Sequence, residues 1–257
     1  MNKAWWAILF LLILSCGIAV PAYAGSFVNG GFEDGSLNGW TQGGGYWQGE
    51  WPINPNDYLP GGSTYNPGYM VNTVVAPGAD PIVGNLLNRV YSGNYSARVN
   101  DWNNNNSISV ISQTVQNYTD PNIYFAWAAV LESSHGTTDS DNFILKLTDD
   151  TLGKTLYQVA FNSADAQYSQ LFHQYGYWFY TDWQVQQLDV SQFQGDTFTL
   201  TLLGSDCPYG GHAGYVYLDG FGAAPPSRIP EPASLILLGS SGAVFLMCRV
   251  LGRKKRS

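Results

Sequence analysis

The chain has 257 residues, 45% of them hydrophobic and only 12% charged, with a formal net charge of −8. An aromatic content of 15% excludes a disordered chain, and so few Lys, Arg and Glu residues argue against a coiled coil or helical bundle. Residues 25–229 carry five basic against 18 acidic side chains, a balance that repels phosphate backbones and argues against nucleic-acid binding.

The N-terminus opens with Met1-Asn2-Lys3, continues through an apolar run at 4–14 and places small residues at Ala22 and Ala24. This reads as a secretory signal peptide over 1–24, cut by signal peptidase after Ala24. A first membrane helix fits less well, because the run is short and meets Pro21. A lipoprotein signal ending at Cys16 is weakened by Leu14. Of the three cysteines, Cys16 and Cys248 sit in the terminal apolar runs, so only Cys207 belongs to the central domain. One thiol makes no internal disulfide, and the domain must hold by packing, or by packing plus a metal.

Between the ends no long helical period occurs. Short alternating or aromatic-rich runs predict strands at 26–28, 96–99, 107–115, 122–131, 143–148, 155–161, 177–190, 197–203 and 214–221. In the 197–203 run, Phe198, Leu200 and Leu202 face a core while Thr alternates toward water. The 122–131 run is apolar on both faces and predicts a central strand. This pattern is that of an all-β antiparallel sandwich or barrel. Residues 41–90, broken by Gly43-Gly44-Gly45, Pro52, Pro55 and Gly61-Gly62, read as a long irregular insertion. It carries exposed-aromatic candidates for stacking on sugar rings, Trp47, Trp51 and Tyr58, joined by Trp102 beside Asp101; packing of these rings onto the sandwich is the competing reading. Trp40, Trp127, Trp178 and Trp183 lie in strand-like runs and are expected in the core.

Phe27-Val28-Asn29-Gly30-Gly31-Phe32-Glu33-Asp34-Gly35, then Gly39-Trp40, resembles the opening of jelly-roll carbohydrate-binding modules and their galactose-binding-like relatives. Residues 91–99, 111–115 and Tyr217-Leu218-Asp219-Gly220 resemble later strands of the same domains, in the same order. The resemblance implies a jelly-roll-like sandwich over 25–229. It also implies a structural Ca²⁺ held by Glu33 and Asp219, a bridge between terminal strands that would take the place of a covalent staple. A solvated pair of carboxylates is the alternative.

Asp206-Cys207-Pro208-Tyr209-Gly210-Gly211-His212 and the following Gly214-Tyr215-Val216-Tyr217-Leu218-Asp219 are similar to the last two strands of uncharacterised exported bacterial β domains. Three readings stay open for Asp206, Cys207 and His212. A zinc site lacks further ligands, since no second Cys or nearby His completes it. A Cys207–His212 nucleophile and base pair is the second, and a structural turn the third. Asp139-Ser140-Asp141-Asn142 offers oxygens like part of a calcium loop but lacks the glycine and distal Glu of an EF-hand, so a polar turn fits better. No G-x-S-x-G, H-E-x-x-H or phosphate-binding loop occurs.

The C-terminus reads Pro230-Glu231-Pro232, an apolar run that gives a transmembrane helix over about 233–251, and a basic flank of Arg253, Lys254, Lys255 and Arg256. This three-part arrangement resembles the PEP-CTERM sorting signal, whose recognition by the membrane enzyme exosortase implies export, inner-membrane anchoring of a precursor, and release to the cell surface or extracellular matrix. The combined expectation is a non-catalytic module that binds glycan, such as exopolysaccharide. A structural envelope or matrix protein without a glycan ligand, and a polysaccharide-active hydrolase, are the alternatives.

Overall fold

A computed structural model describes residues 25–228. The signal peptide at 1–24, Pro230, Glu231 and Pro232, the apolar run at 233–251 and the basic flank from Arg253 to Arg256 lie outside the described residues. No helix among the described residues is long and apolar enough to cross a membrane.

In chain order the strands are β1 (Thr41–Tyr46), β2 (Asn72–Val75), β3 (Ala79–Asp80), β4 (Gly84–Asn88), β5 (Ser96–Val99), β6 (Ser107–Val115) and β7 (Asn122–Glu132). There follow β8 (Asn142–Asp149), β9 (Lys154–Asn162), β10 (Phe172–Tyr175), β11 (Trp178–Thr181), β12 (Gln184–Asp189), β13 (Phe198–Ser205) and β14 (Gly214–Gly222). The first sheet runs β1-β6-β13-β8-β9 and the second β10-β11-β7-β14-β5-β2, with β12 also on β7. All pairings between these strands are antiparallel. From β5 to β8, and again from β12 to β14, each strand crosses to the opposite sheet, which is the course of a jelly-roll-like β-sandwich.

Alternation along each strand builds the core. Ile111 and Val115, Phe143, Leu145 and Leu147, and Phe198, Leu200 and Leu202 point inward from the first sheet. They meet Phe125, Trp127, Leu131, Val216 and Leu218 from the second. As expected from its doubly apolar sequence, β7 is central. Its inner face carries Ile123 to Leu131, and its outer face adds Ala128 and Val130 to a second apolar cluster with Tyr215 and Tyr217. Trp40 and Trp127 are buried as expected, whereas Trp178 and Trp183 are only partly so and pack on the outer cluster.

Residues 41–90 are not a detached insertion. β1 pairs with β6 from Thr41↔Ser112 to Tyr46↔Ser107, and β2 pairs with β5, so this stretch supplies an edge strand to each sheet. Between them, residues 47–69 form a strap over the outer face of the first sheet, where Trp47, Ile53 and Tyr58 pack on Ile108, Val110 and Leu203. The glycine run is a strand because its outer side is covered at backbone distance. A Cβ on Gly43 would lie 2.3 Å from the Tyr58 carbonyl oxygen, and one on Gly45 2.4 Å from that of Thr64. On the opposite face the β3–β4 hairpin is pinned by Asp80, whose carboxylate accepts hydrogen bonds from Tyr215 (2.9 Å) and Tyr217 (2.8 Å).

Two strand expectations are corrected. Residues 26–28 form no strand, because the Gln113 side chain takes the place of a partner: its Oε1 accepts from Val28 N (2.9 Å) and its Nε2 donates to Val28 O (2.7 Å). The 177–190 run divides at Asp182-Trp183 into β11 and β12, which pair with successive parts of β7.

Candidate functional site: a groove beneath Trp51

The outward residues of β13, β8 and β9 lie in registered rows across the first sheet. One row is Leu203, Ile144 and Ala160; the next is Thr201, Lys146 and Gln158. A row of apolar atoms therefore runs beside a row of hydroxyl, ammonium and amide groups. The strap crosses this surface and leaves a cleft on each side. One, about 210 Å³, is lined by Trp51, Ile53, Ile144, Gln158, Ala160 and Asp165 among others. The other, about 290 Å³, is lined by Asn54, Asn56, Lys146, Thr148, Thr199 and Thr201 with Asp150. The Thr199 hydroxyl donates to Asp150 (2.5 Å) and the Thr148 hydroxyl to the same carboxylate (2.8 Å), which orients this rim. Lys146 is half-buried and has no carboxylate within ion-pair distance among the described residues. A third cleft of about 280 Å³ lies on the other side of the sandwich beside Asn88, Tyr91, Trp183 and Arg228. Its aromatic rings are already engaged, Trp183 packing on Tyr91 and Tyr217.

The four aromatic candidates separate. Trp51 is 45% exposed and stands at the groove. Trp47 and Tyr58 do not offer a platform. Both are buried (0% and 1% exposed) as the anchors of the strap, with the Trp47 indole N–H bonded to Glu50 O (3.1 Å) and the Tyr58 hydroxyl to the Glu50 carboxylate. Trp102 is 39% exposed, but the Arg98 guanidinium lies 4.5 Å from its ring centre and Tyr215 meets it edge-on. The groove's polar row was not foreseen. The register of β8 with β9 and β13 assembles it, and pairing register is weakly legible in a sequence without hairpin turn signals.

Glu33 and Asp219 approach the same turn. The Glu33 carboxylate accepts from the backbone N–H of Asn94 (3.0 Å) and Tyr95 (3.2 Å). Asp219 Oδ2 accepts from Tyr91 N (3.0 Å) and Ser92 N (2.8 Å), while its Oδ1 is buried with no hydrogen-bond partner. Burial pushes the Asp219 carboxyl up to about 7; the nearby Glu33 charge adds to this and the Ser92 and Tyr91 N–H groups oppose it. A buried carboxylate oxygen without a donor, with a second carboxylate beside it, is the donor chemistry that a hard cation takes.

Asp206 serves structure. Its Oδ2 accepts from Asn105 N, Ser107 N and the Ser107 hydroxyl, and its Oδ1 from Asn100 Nδ2. All of its acceptor capacity holds the 100–107 loop, and burial pushes its carboxyl up to about 6 against those hydrogen bonds. The 139–142 segment is a polar turn: Asp139 accepts from Gly136 N (2.7 Å), and buried Asp141 from Glu132 N (3.0 Å) and the Ser163 hydroxyl (2.7 Å). Cys207 is buried with its Sγ 3.6 Å from His212 Nδ1.

No family model and no curated protein matches the sequence. The chain is similar to solved structures of carbohydrate-binding modules. TmCBM61, in complex with β-1,4-galactotriose, is 14% identical over 77% of this chain and 96% of its own, with a TM-score of 0.40. CBM27-1 of Caldicellulosiruptor saccharolyticus, in complex with mannohexaose, is 14% identical over 78% and 97%, with a TM-score of 0.39. A non-crystalline-cellulose-specific CBM28 is 14% identical over 76% and 92%, with a TM-score of 0.38.

Proposed function

We propose that this protein is an exported glycan-binding module that acts by binding and not by catalysis. The observation that carries this reading is Trp51, a half-exposed indole at a cleft on a sheet face that Gln158 and Asp165 also line. The C–H face of a pyranose packs on an indole. Gln158 and Asp165, which line the same cleft, then supply donors and acceptors for ring hydroxyls. Asp206 and Asp219, whose carboxyls are raised by burial, are tied to backbone N–H groups and hold loops in place.

The terminal sequences support export through signal peptidase, a membrane-anchored precursor, and sorting by exosortase to the surface or exopolysaccharide matrix. Ca²⁺ belongs in the same proposal: Glu33 and the partnerless Asp219 Oδ1 would hold it, closing the last strand onto the first loop and the 91–95 turn. Its part is structural.

Affinity electrophoresis of the full chain through gels containing native exopolysaccharide or defined polysaccharides tests the binding. Retardation by at least one polysaccharide, lost in Trp51→Ala with the fold intact, is expected; free migration through all of them overturns the reading. Mass spectrometry of the native protein from cell and medium fractions tests both processed ends.

A further inference from the structure

The structure completes a ligand set that the sequence leaves open. His135, from the β7–β8 connection, joins Cys207 and His212, from the β13–β14 connection, and one ligand atom from each lies within 4.8 Å of the others. The two loops are clamped at their bases. Ala213 N donates to the Glu132 carboxylate (3.0 Å) and Glu132 N to Ala213 O (3.0 Å), while Cys207 N donates to His212 O (3.0 Å). The imidazoles of His135 and His212 stand nearly perpendicular, at 83°, with centres 4.9 Å apart. Their nitrogens and the sulfur are thus held together by backbone geometry and not by chance contact of long side chains.

We infer that His135, Cys207 and His212 form a binding site for a transition-metal ion of the Zn²⁺ class. With Zn–S near 2.3 Å and Zn–N near 2.0–2.1 Å, a tetrahedral ion sets sulfur and nitrogen about 3.6 Å apart. The separation of Cys207 Sγ from His212 Nδ1 is 3.6 Å. One thiolate and two imidazoles match the softness of Zn²⁺ and mismatch Ca²⁺, which takes hard oxygens. Three protein ligands leave a fourth position for water or another ligand, facing the side where His135 and Tyr209 are exposed. Uptake forms the metal–sulfur bond, and the thiol proton of Cys207 passes to solvent, so each ion bound releases one proton. The site is separate from Glu33 and Asp219 and from the groove beneath Trp51.

Cobalt tests it. The full chain, stripped with chelator, is titrated with Co²⁺ while the thiolate-to-metal charge-transfer band and the visible bands of a four-coordinate ion are followed. Saturation at one equivalent, displacement by Zn²⁺ and indifference to excess Ca²⁺ are expected. Cys207→Ser removes the charge-transfer band. His135→Ala, at an exposed position where folding is insensitive, weakens Zn²⁺ by more than the about 10–100-fold that losing a hydrogen-bonding partner behind a ligand costs. No band in the folded wild-type chain overturns the assignment. So does a Zn²⁺ affinity in folded His135→Ala equal to that of wild type.

Discussion

Glu33 and Asp219 hold opposite halves of one turn. Asp219, from the last strand, takes the N–H groups of Tyr91 and Ser92, and Glu33, from the first loop, takes those of Asn94 and Tyr95. The first loop and the last strand of the described residues therefore meet on the 91–95 turn. Asp219→Ala leaves two half-buried backbone donors without their partner, and should destabilise the fold by about 2 kcal/mol or more. Asp219→Asn keeps an acceptor and should cost less than half of that. Urea denaturation of both variants checks the order. With Ca²⁺ present the wild-type midpoint should rise, and with Asp219→Ala it should not.

The raised carboxyls give this fold a defined pH response. Burial lifts Asp219 to about 7 and Asp206 to about 6, and lifts buried Asp141 as well. The folded chain thus holds these protons more tightly than the unfolded chain does. Their stabilising contribution is complete below about pH 4 and is lost as pH rises through the folded values, at most about 1.4 kcal/mol per pH unit for each proton. In chelator, the denaturation midpoint should fall between pH 5 and pH 8. Asp219→Asn should flatten the upper part of that fall, and Ca²⁺, which displaces the Asp219 proton, should oppose it. A midpoint that climbs over this range in chelator contradicts the assignment.

Neighbouring aromatics of the strap should behave oppositely. Trp47→Ala empties a fully buried site and should cost about 3–5 kcal/mol. Trp51→Ala removes a half-exposed ring and should change stability by less than about 1 kcal/mol while abolishing polysaccharide retardation. Thermal melts and affinity gels on the two variants separate anchor from platform.

Gly43→Ala should be among the most damaging single-methyl changes in the chain. Its new Cβ would meet the Tyr58 carbonyl oxygen at 2.3 Å and the Leu59 Cα at 2.9 Å, and backbone cannot swing aside as a side chain can. Gly153→Ala has open space around its Cβ, at a positive φ of 62°, and should cost only about 1 kcal/mol. A soluble-expression and melting comparison distinguishes them.

The strands legible in the sequence were those whose pattern is set by burial on one or both faces. β5 and β6 span Ser96–Val99 and Ser107–Val115 as expected, and β7, β8, β9, β13 and β14 differ from expectation by no more than two residues at either end. β1 was hidden because its alternation is replaced by three glycines: Gly43 and Gly45 face Tyr58, Leu59 and Thr64 of the strap, and Gly44, on the other face, meets Met70 and the Ile108 carbonyl. β2, β10 and the β3–β4 hairpin are short and edge-like, too brief for an alternating pattern to stand out from the loops around them. Distance along the chain hid the ligand set around Cys207, since His135 is 72 positions away and reaches it through the pairings of β7 with β14 and β8 with β13. Trp47 and Trp51 are chemically alike and four positions apart; only the packing of Ile108, Val110 and Leu203 under one of them tells them apart.

A single stretch of polypeptide, from β1 to β4, gives an edge strand to each layer of the sandwich, packs its strap and its hairpin on the two outer faces, and also carries the indole that faces solvent. That girdle ties the layers to each other, and lifting it would dismantle the cleft beside Trp51. On the proposed reading, an occupied cleft would act as a buckle and slow the opening of the whole domain.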